Sequence, residues 1–142
     1  GLGDVYKRQM LGFNYTNLAI IRPGVDVFDP RVIRASMGAL FNINFEYFNS
    51  FDEYLTKYPE REVYPLMLKG AKNIHQITAA NNKHSLVFGN ESSGLPDDYL
   101  KYGQSVFIPH SDKIDSLNLS MALGITLCHF SMMEFKDKQV LR

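Results

Sequence analysis

The stretch Ser105–Phe135, SVFIPHSDKIDSLNLSMALGITLCHFSMMEF, decides how the rest of the chain is read. Val106-Phe107-Ile108 is a short apolar run, and Pro109 ends it because proline has no amide to give a sheet ladder. His110 to Asp115 forms a polar loop. Ser116-Leu117-Asn118-Leu119-Ser120 then opens a long apolar segment with helical character, and Ser116 is placed to cap it by accepting a first-turn amide. The unit reads strand, polar loop, capped helix. Ser116, Asn118 and Ser120 gather at the helix N-terminus, where unpaired amides and the helix dipole favour oxygen acceptors or negative charge.

Just upstream, Ser85-Leu86-Val87-Phe88 is a compact strand of buried type, running into Gly89-Asn90-Glu91-Ser92-Ser93-Gly94-Leu95-Pro96. Glycines on either side of a carboxylate mark a tight loop at a strand C-terminus, the end at which open α/β sheets bind ligands. The spacing is neither GxGxxG nor a Walker loop, so dinucleotide or nucleoside triphosphate binding does not follow. Pro96 starts a short helix over Asp97–Tyr102, ended by Gly103.

Further outward, Asn17–Ile21 is an apolar strand stopped by Pro23-Gly24. Asp29-Pro30 is the usual pairing of N-cap and first helical residue, and predicts a helix over Pro30–Leu40 that carries Arg34, Ala35, Ser36 and Gly38. Phe41–Phe48 alternates apolar and polar residues and predicts a strand. Ser50 and Glu53 have capping-box spacing for a short helix to Lys57. Glu62–Leu68 predicts a strand interrupted by Pro65, which suits an edge or an irregular pairing. Lys69-Gly70-Ala71 turns away from it. This alternation of strands and helices argues for an α/β fold, a mostly parallel sheet with helices on both faces.

The 142 residues suffice for one domain with a single sizeable core. Fifteen basic and 15 acidic residues cancel, so any nucleic-acid site must come from a local cluster, a partner subunit or sequence missing from this chain. The Leu117–Phe135 segment is interrupted by Asn118, Ser120, Thr126, His129 and Glu134, which argues against a membrane span. The single cysteine, Cys128, excludes an internal disulfide and reads as a buried inert thiol. The four histidines show no metal-ligand spacing, so no metal is expected. Residues 1–10 lack periodicity and read as a foreign or disordered end, leaving 11–142 as the domain.

Three segments carry a resemblance. IP(x)6SLNLS, from Ile108 to Ser120, resembles the third motif of the SpoU-type (TrmH-like) RNA ribose methyltransferases. FGNESSGLP resembles their second motif, Gly-x-Glu-x-x-Gly-Leu, and DPRVIRASMGALF resembles their Arg-Ala-Ser-x-Gly-Ala segment. The likeness runs from about Leu11 to Phe135. It implies a C-terminal trefoil knot, made from the Phe88–Leu95 loop, the Ile108–Leu119 loop and the helix that follows. It also implies S-adenosylmethionine as cofactor, held by backbone groups at Gly89, Ile108 and Leu117, with Met67 or Leu68 from the preceding strand end. Glu91, Ser116 and Asn118 match the family's active-site positions, and Arg34 falls in the region that faces RNA. The resemblance further implies a tRNA or rRNA substrate, a homodimer through the C-terminal helix and a cytoplasmic enzyme.

The family's first motif, Asn-x-Gly-x-x-x-Arg, supplies an arginine central to catalysis. Asn17-Leu18-Ala19-Ile20-Ile21-Arg22 looks like it but lacks the glycine and one residue. The chain is therefore read as N-terminally truncated. Two function classes stay open: an RNA 2′-O-methyltransferase, and a non-catalytic RNA-binding or assembly module on the same fold.

Overall fold

A computed structural model of the chain describes residues 9–22, 30–35, 43–81, 83–89, 94–111 and 118–138. Among these, a helical turn over 9–12 leads into β1 (Tyr15–Ile21), followed by β2 (Arg31–Ala35), β3 (Asn44–Phe48) and α1 (Phe51–Lys57). Then come β4 (Glu62–Pro65), β5 (Lys72–Asn73), β6 (His84–Phe88), β7 (Val106–Phe107) and the long α2 (Leu119–Lys138). Short 3₁₀ turns cover Ile74–Gln76 and Asp97–Lys101.

The main sheet has the order β3-β1-β2-β6-β4. β1 is parallel to β3, β4 is parallel to β6, and β2 runs antiparallel to both of its neighbours. Four of its five strands therefore point one way. Along each strand the side chains alternate between two cores, as the pleat requires. Leu18, Ile33, Leu86 and Phe88 join one cluster with Leu123, Leu127 and Phe130 of α2. Ala19, Val32 and Val87 join the other with Phe51 and Tyr54 of α1. Each fully buried leucine, such as Leu86 or Leu127, stabilises the fold by about 2 kcal/mol.

The helix expected over Pro30–Leu40 is not what the described part forms: residues 31–35 are strand β2. Local signals at Asp29-Pro30 favoured a helix, but β2 sits between β1 and β6 and pairs with both. Val32 and Ile33 are buried on opposite faces, a pattern that two-sided burial rewards in a strand. Residues 36–42, including the rest of the expected helix, lie outside the described residues.

Other local signals act as read. Ser50 accepts the Glu53 amide at 3.1 Å and starts α1. The return half of the capping box is displaced by one residue, because the Glu53 carboxylate takes the Asn49 amide at 3.4 Å. β4, which ends at Pro65, is an edge strand of the main sheet. Met10 is fully buried in the core beside α2, and the Gln9 side-chain amide reaches the Ser120 carbonyl at 3.4 Å. Cys128 is half-buried rather than sealed in the core.

Candidate active site

Backbone pairing brings together the strands that lead into the second and third motifs. In β6, Val87 pairs with Pro65 of β4, and the Leu66 amide donates to the Val87 carbonyl at 2.9 Å. Leu66 bridges in turn to Val106 in parallel, and the Met67 amide donates to the Val106 carbonyl at 2.9 Å. β7 also runs parallel to β5. The C-terminal ends of three adjacent parallel segments therefore lie side by side: Phe88-Gly89, Leu66-Met67 and Phe107-Ile108. A row of strand C-termini is where an α/β sheet offers unpaired backbone groups to a ligand.

Glycines allow this close packing. A Cβ on Gly89 would stand 2.2 Å from the Gly94 carbonyl carbon and 2.4 Å from the Leu95 nitrogen, so the loop closes on itself at this point. Gly94 has φ +67, a left-handed conformation that side chains resist. A Cβ on Gly70 would meet the Val106 carbonyl carbon at 2.4 Å, and one on Gly103 the Val63 oxygen at 2.0 Å. The sequence marked Gly89 as needed for a cofactor's approach. The described contacts show that its own loop already excludes a side chain. Gly70 and Gly103 were read only as turn and helix end; their places directly before and after the paired segments were the available signal.

Met67 is buried, Leu68 is exposed and Ile108 is half-buried at this sheet end. His110, which sequence reasoning left in a polar loop, donates its Nδ1 proton to the Ile108 carbonyl at 2.9 Å and shapes the exit from β7. At the start of α2 the cap is Asn118. Its side-chain oxygen accepts the Ser120 amide at 2.8 Å and the Met121 amide at 3.3 Å, and its carbonyl accepts the Ala122 amide. The expected cap, Ser116, precedes the helix by more than one residue, so the cap belongs to Asn118. Glu91, Ser116 and Leu117 lie outside the described residues.

Arg34 is not brought to this end. It pairs with Asn17 and Ser85, near the starts of β1 and β6, whereas Arg31 pairs with Phe88. Only 4% exposed, it is a buried strand residue and not a helix-surface cation. Its Nη2 donates to Glu46 at 2.7 Å and to the Tyr58 hydroxyl at 2.6 Å, and its guanidinium lies 3.9 Å from the Tyr58 ring centroid. Lys57 joins the same carboxylate at 2.5 Å. Partial burial pushes the Glu46 carboxyl up, but hydrogen bonds from Lys57, Tyr58 and Arg34 outweigh it and hold the pKa at about 2. Beneath them, the Tyr54 and Ser85 hydroxyls bond at 2.5 Å, and burial raises the Tyr54 pKa. This cluster ties α1 to the sheet.

Known proteins now supply the class. The sequence profile of the SpoU rRNA Methylase family matches residues 3–128. A Listeria innocua protein that carries the provisional name tRNA (cytidine(34)-2′-O)-methyltransferase is 34% identical over 115 residues, 78% of this chain and 68% of its own length. The 23S rRNA (adenosine(1067)-2′-O)-methyltransferase of Streptomyces laurentii is 30% identical over 104 residues, 71% of this chain and 38% of that protein. A Sinorhizobium meliloti rRNA methyltransferase solved with AdoMet bound shares the fold, with a TM-score of 0.67 at 24% identity, over 99% of this chain and 52% of that one. The chain belongs to the SpoU rRNA methylase family. Its relatives are RNA 2′-O-methyltransferases, and it spans only part of their length.

Proposed function

We propose that this chain provides the methyl-donor-binding part of an S-adenosylmethionine-dependent RNA ribose 2′-O-methyltransferase. The observation that carries the proposal is the backbone ladder from Val87 through Leu66 to Val106, which aligns the strand ends that lead into the two family motifs. Gly89, Met67, Leu68 and Ile108 are the described residues proposed to hold the cofactor, and Leu117 is assigned to it on the resemblance alone. The apolar side chains of Met67, Leu68 and Ile108 suit an adenine ring, and strand-end backbone groups suit its polar edge. When bound, the cofactor supplies a methyl group on a sulfonium, already a good leaving group. What is left to the chain is alignment of the ribose hydroxyl and help in removing its proton. Glu91, Ser116 and Asn118 are proposed to position the ribose and its partners, and Arg34 remains an RNA contact on resemblance alone.

The names of the relatives favour tRNA, with cytidine 34 as the first nucleotide to test, over a non-catalytic module. We also read the two clusters as helices covering both sheet faces, with the trefoil knot formed around the motif loops. On α2, Leu123, Leu127 and Phe130 are buried, while Met121, Ile125 and Met132 stay 57%, 39% and 60% exposed along another stripe. A second copy would cover that stripe, giving a cytoplasmic homodimer. No helix among the described residues is long and apolar enough to cross a membrane.

Calorimetric titration with S-adenosylmethionine tests the site, and binding is the expected result. Heat from a folded sample supports the proposal; its absence sinks it. Methyl transfer from labelled cofactor to tRNA is expected to be weak or absent in this chain and restored when the upstream Asn-x-Gly-x-x-x-Arg segment is added. Equal rates in both forms would show that the arginine has been misplaced.

A further inference from the structure

The edge strand β3 carries two exposed aromatic rings, Phe45 at 48% and Tyr47 at 57% exposure. They are two residues apart, so both project from the same face, about 7 Å from each other. That face is the one bearing Leu18 and Ile20, their cross-strand partners in β1. Arg22, exposed just past the end of β1, sets its guanidinium 5.5 Å from the Tyr47 ring centroid while donating to the Asn49 side chain at 3.2 Å. A single row of paired residues then crosses the sheet from Tyr47 to Ile20, Arg31 and Phe88. Phe88 immediately precedes Gly89. Tyr47 thus lies at the same sheet end as the candidate cofactor site, three strand spacings or about 14 Å away. In β1, β2 and β3 the only acidic residue is Glu46, which points to the opposite face and is held by Arg34 and Lys57.

We propose that Phe45 and Tyr47, with Arg22 beside them, form a platform for unpaired bases of the RNA substrate. Exposed aromatic rings stack bases whatever their identity, and arginines complement the phosphates between them. Large rings left on the surface of an edge strand are otherwise a liability that natural sheets avoid. In a chain with no net charge, stacking on exposed rings adds binding energy that does not come from phosphate neutralisation. It rests on the reading that the substrate is RNA.

The test is fluorescence anisotropy with a labelled 12-nucleotide single-stranded RNA, comparing the full chain with the Phe45→Ala/Tyr47→Ala double variant (~12 nucleotides being within the span of such sites). Binding of the single strand is expected to weaken by about tenfold or more. Tyr47→Phe, which keeps the ring, should stay within about twofold, as should the double variant on an RNA duplex of equal length. Unchanged single-strand affinity overturns the proposal, and so does an equal loss on the duplex. A drop in light-scattering mass for the double variant overturns it too, since a second copy would then cover this face. Titration with S-adenosylmethionine separates the two readings: no cofactor binding alongside Tyr47-dependent RNA binding sinks the proposed function and leaves the platform standing.

Discussion

Two regions of one sheet are built by different physics. At the end formed by Phe88-Gly89, Leu66-Met67 and Phe107-Ile108, backbone groups meet backbone groups, and glycines keep side chains out. On the face that α1 covers, Arg34, towards the starts of β1 and β6, meets Glu46, Lys57 and Tyr58 in a charge-assisted network. The first arrangement gathers three strand ends, where the proposed cofactor site lies. The second uses up its charges internally and serves to fix a helix.

Replacing Gly89 by Val is the severest way to break the contrast. No rotamer avoids a Cβ 2.2 Å from the Gly94 backbone, so the loop must open. Loss of about 3 kcal/mol in chemical denaturation is expected, together with loss of S-adenosylmethionine binding by calorimetry. A stable Gly89→Val chain that still binds cofactor would show that loop closure does not shape the site.

Arg34→Ala probes the other region. It leaves the Glu46 carboxylate with Lys57 and the Tyr58 hydroxyl and empties a buried space, at a cost of about 2–3 kcal/mol. Cofactor affinity should stay within about twofold, since the residue sits several strand residues from Gly89. A selective fall in RNA affinity without lost stability would support Arg34 as an RNA contact, and a selective fall in cofactor affinity would place it in the cofactor site.

Smaller effects sharpen the picture. Asn118→Ala removes the α2 cap and should cost about 1 kcal/mol, measured by urea denaturation. Lowering the pH should weaken the Glu46 network. The folded carboxyl titrates at about 2, below its ordinary value of 4.5, so the charged form favours folding. That contribution is complete above pH 4.5 and fades as the pH falls towards 2. Allowing for solvent around the carboxylate, its size is on the order of 1 kcal/mol. Glu46→Gln should flatten this part of the acid denaturation curve; an unaltered curve would mean that the network contributes little.

Much of this arrangement was legible from residues alone. The apolar runs of β1 and β6, the Ser50 cap and the break at Pro65 are local patterns, and local patterns act over a few residues. Arg31–Ala35 shows the limit. Asp29-Pro30 is a strong helix start, but partners on both sides, β1 and β6, hold these residues as a strand. Those partners come from segments far apart in sequence, and no window around Arg31 contains them. The same holds for Arg34, whose burial and ion pair depend on Glu46 and on where α1 docks. It holds for Gly70 and Gly103 as well. Sequence determined that they were glycines at turns; only tertiary packing decided that Val106 and Val63 would press against them, because close backbone approach is a property of pairs of segments and not of either one.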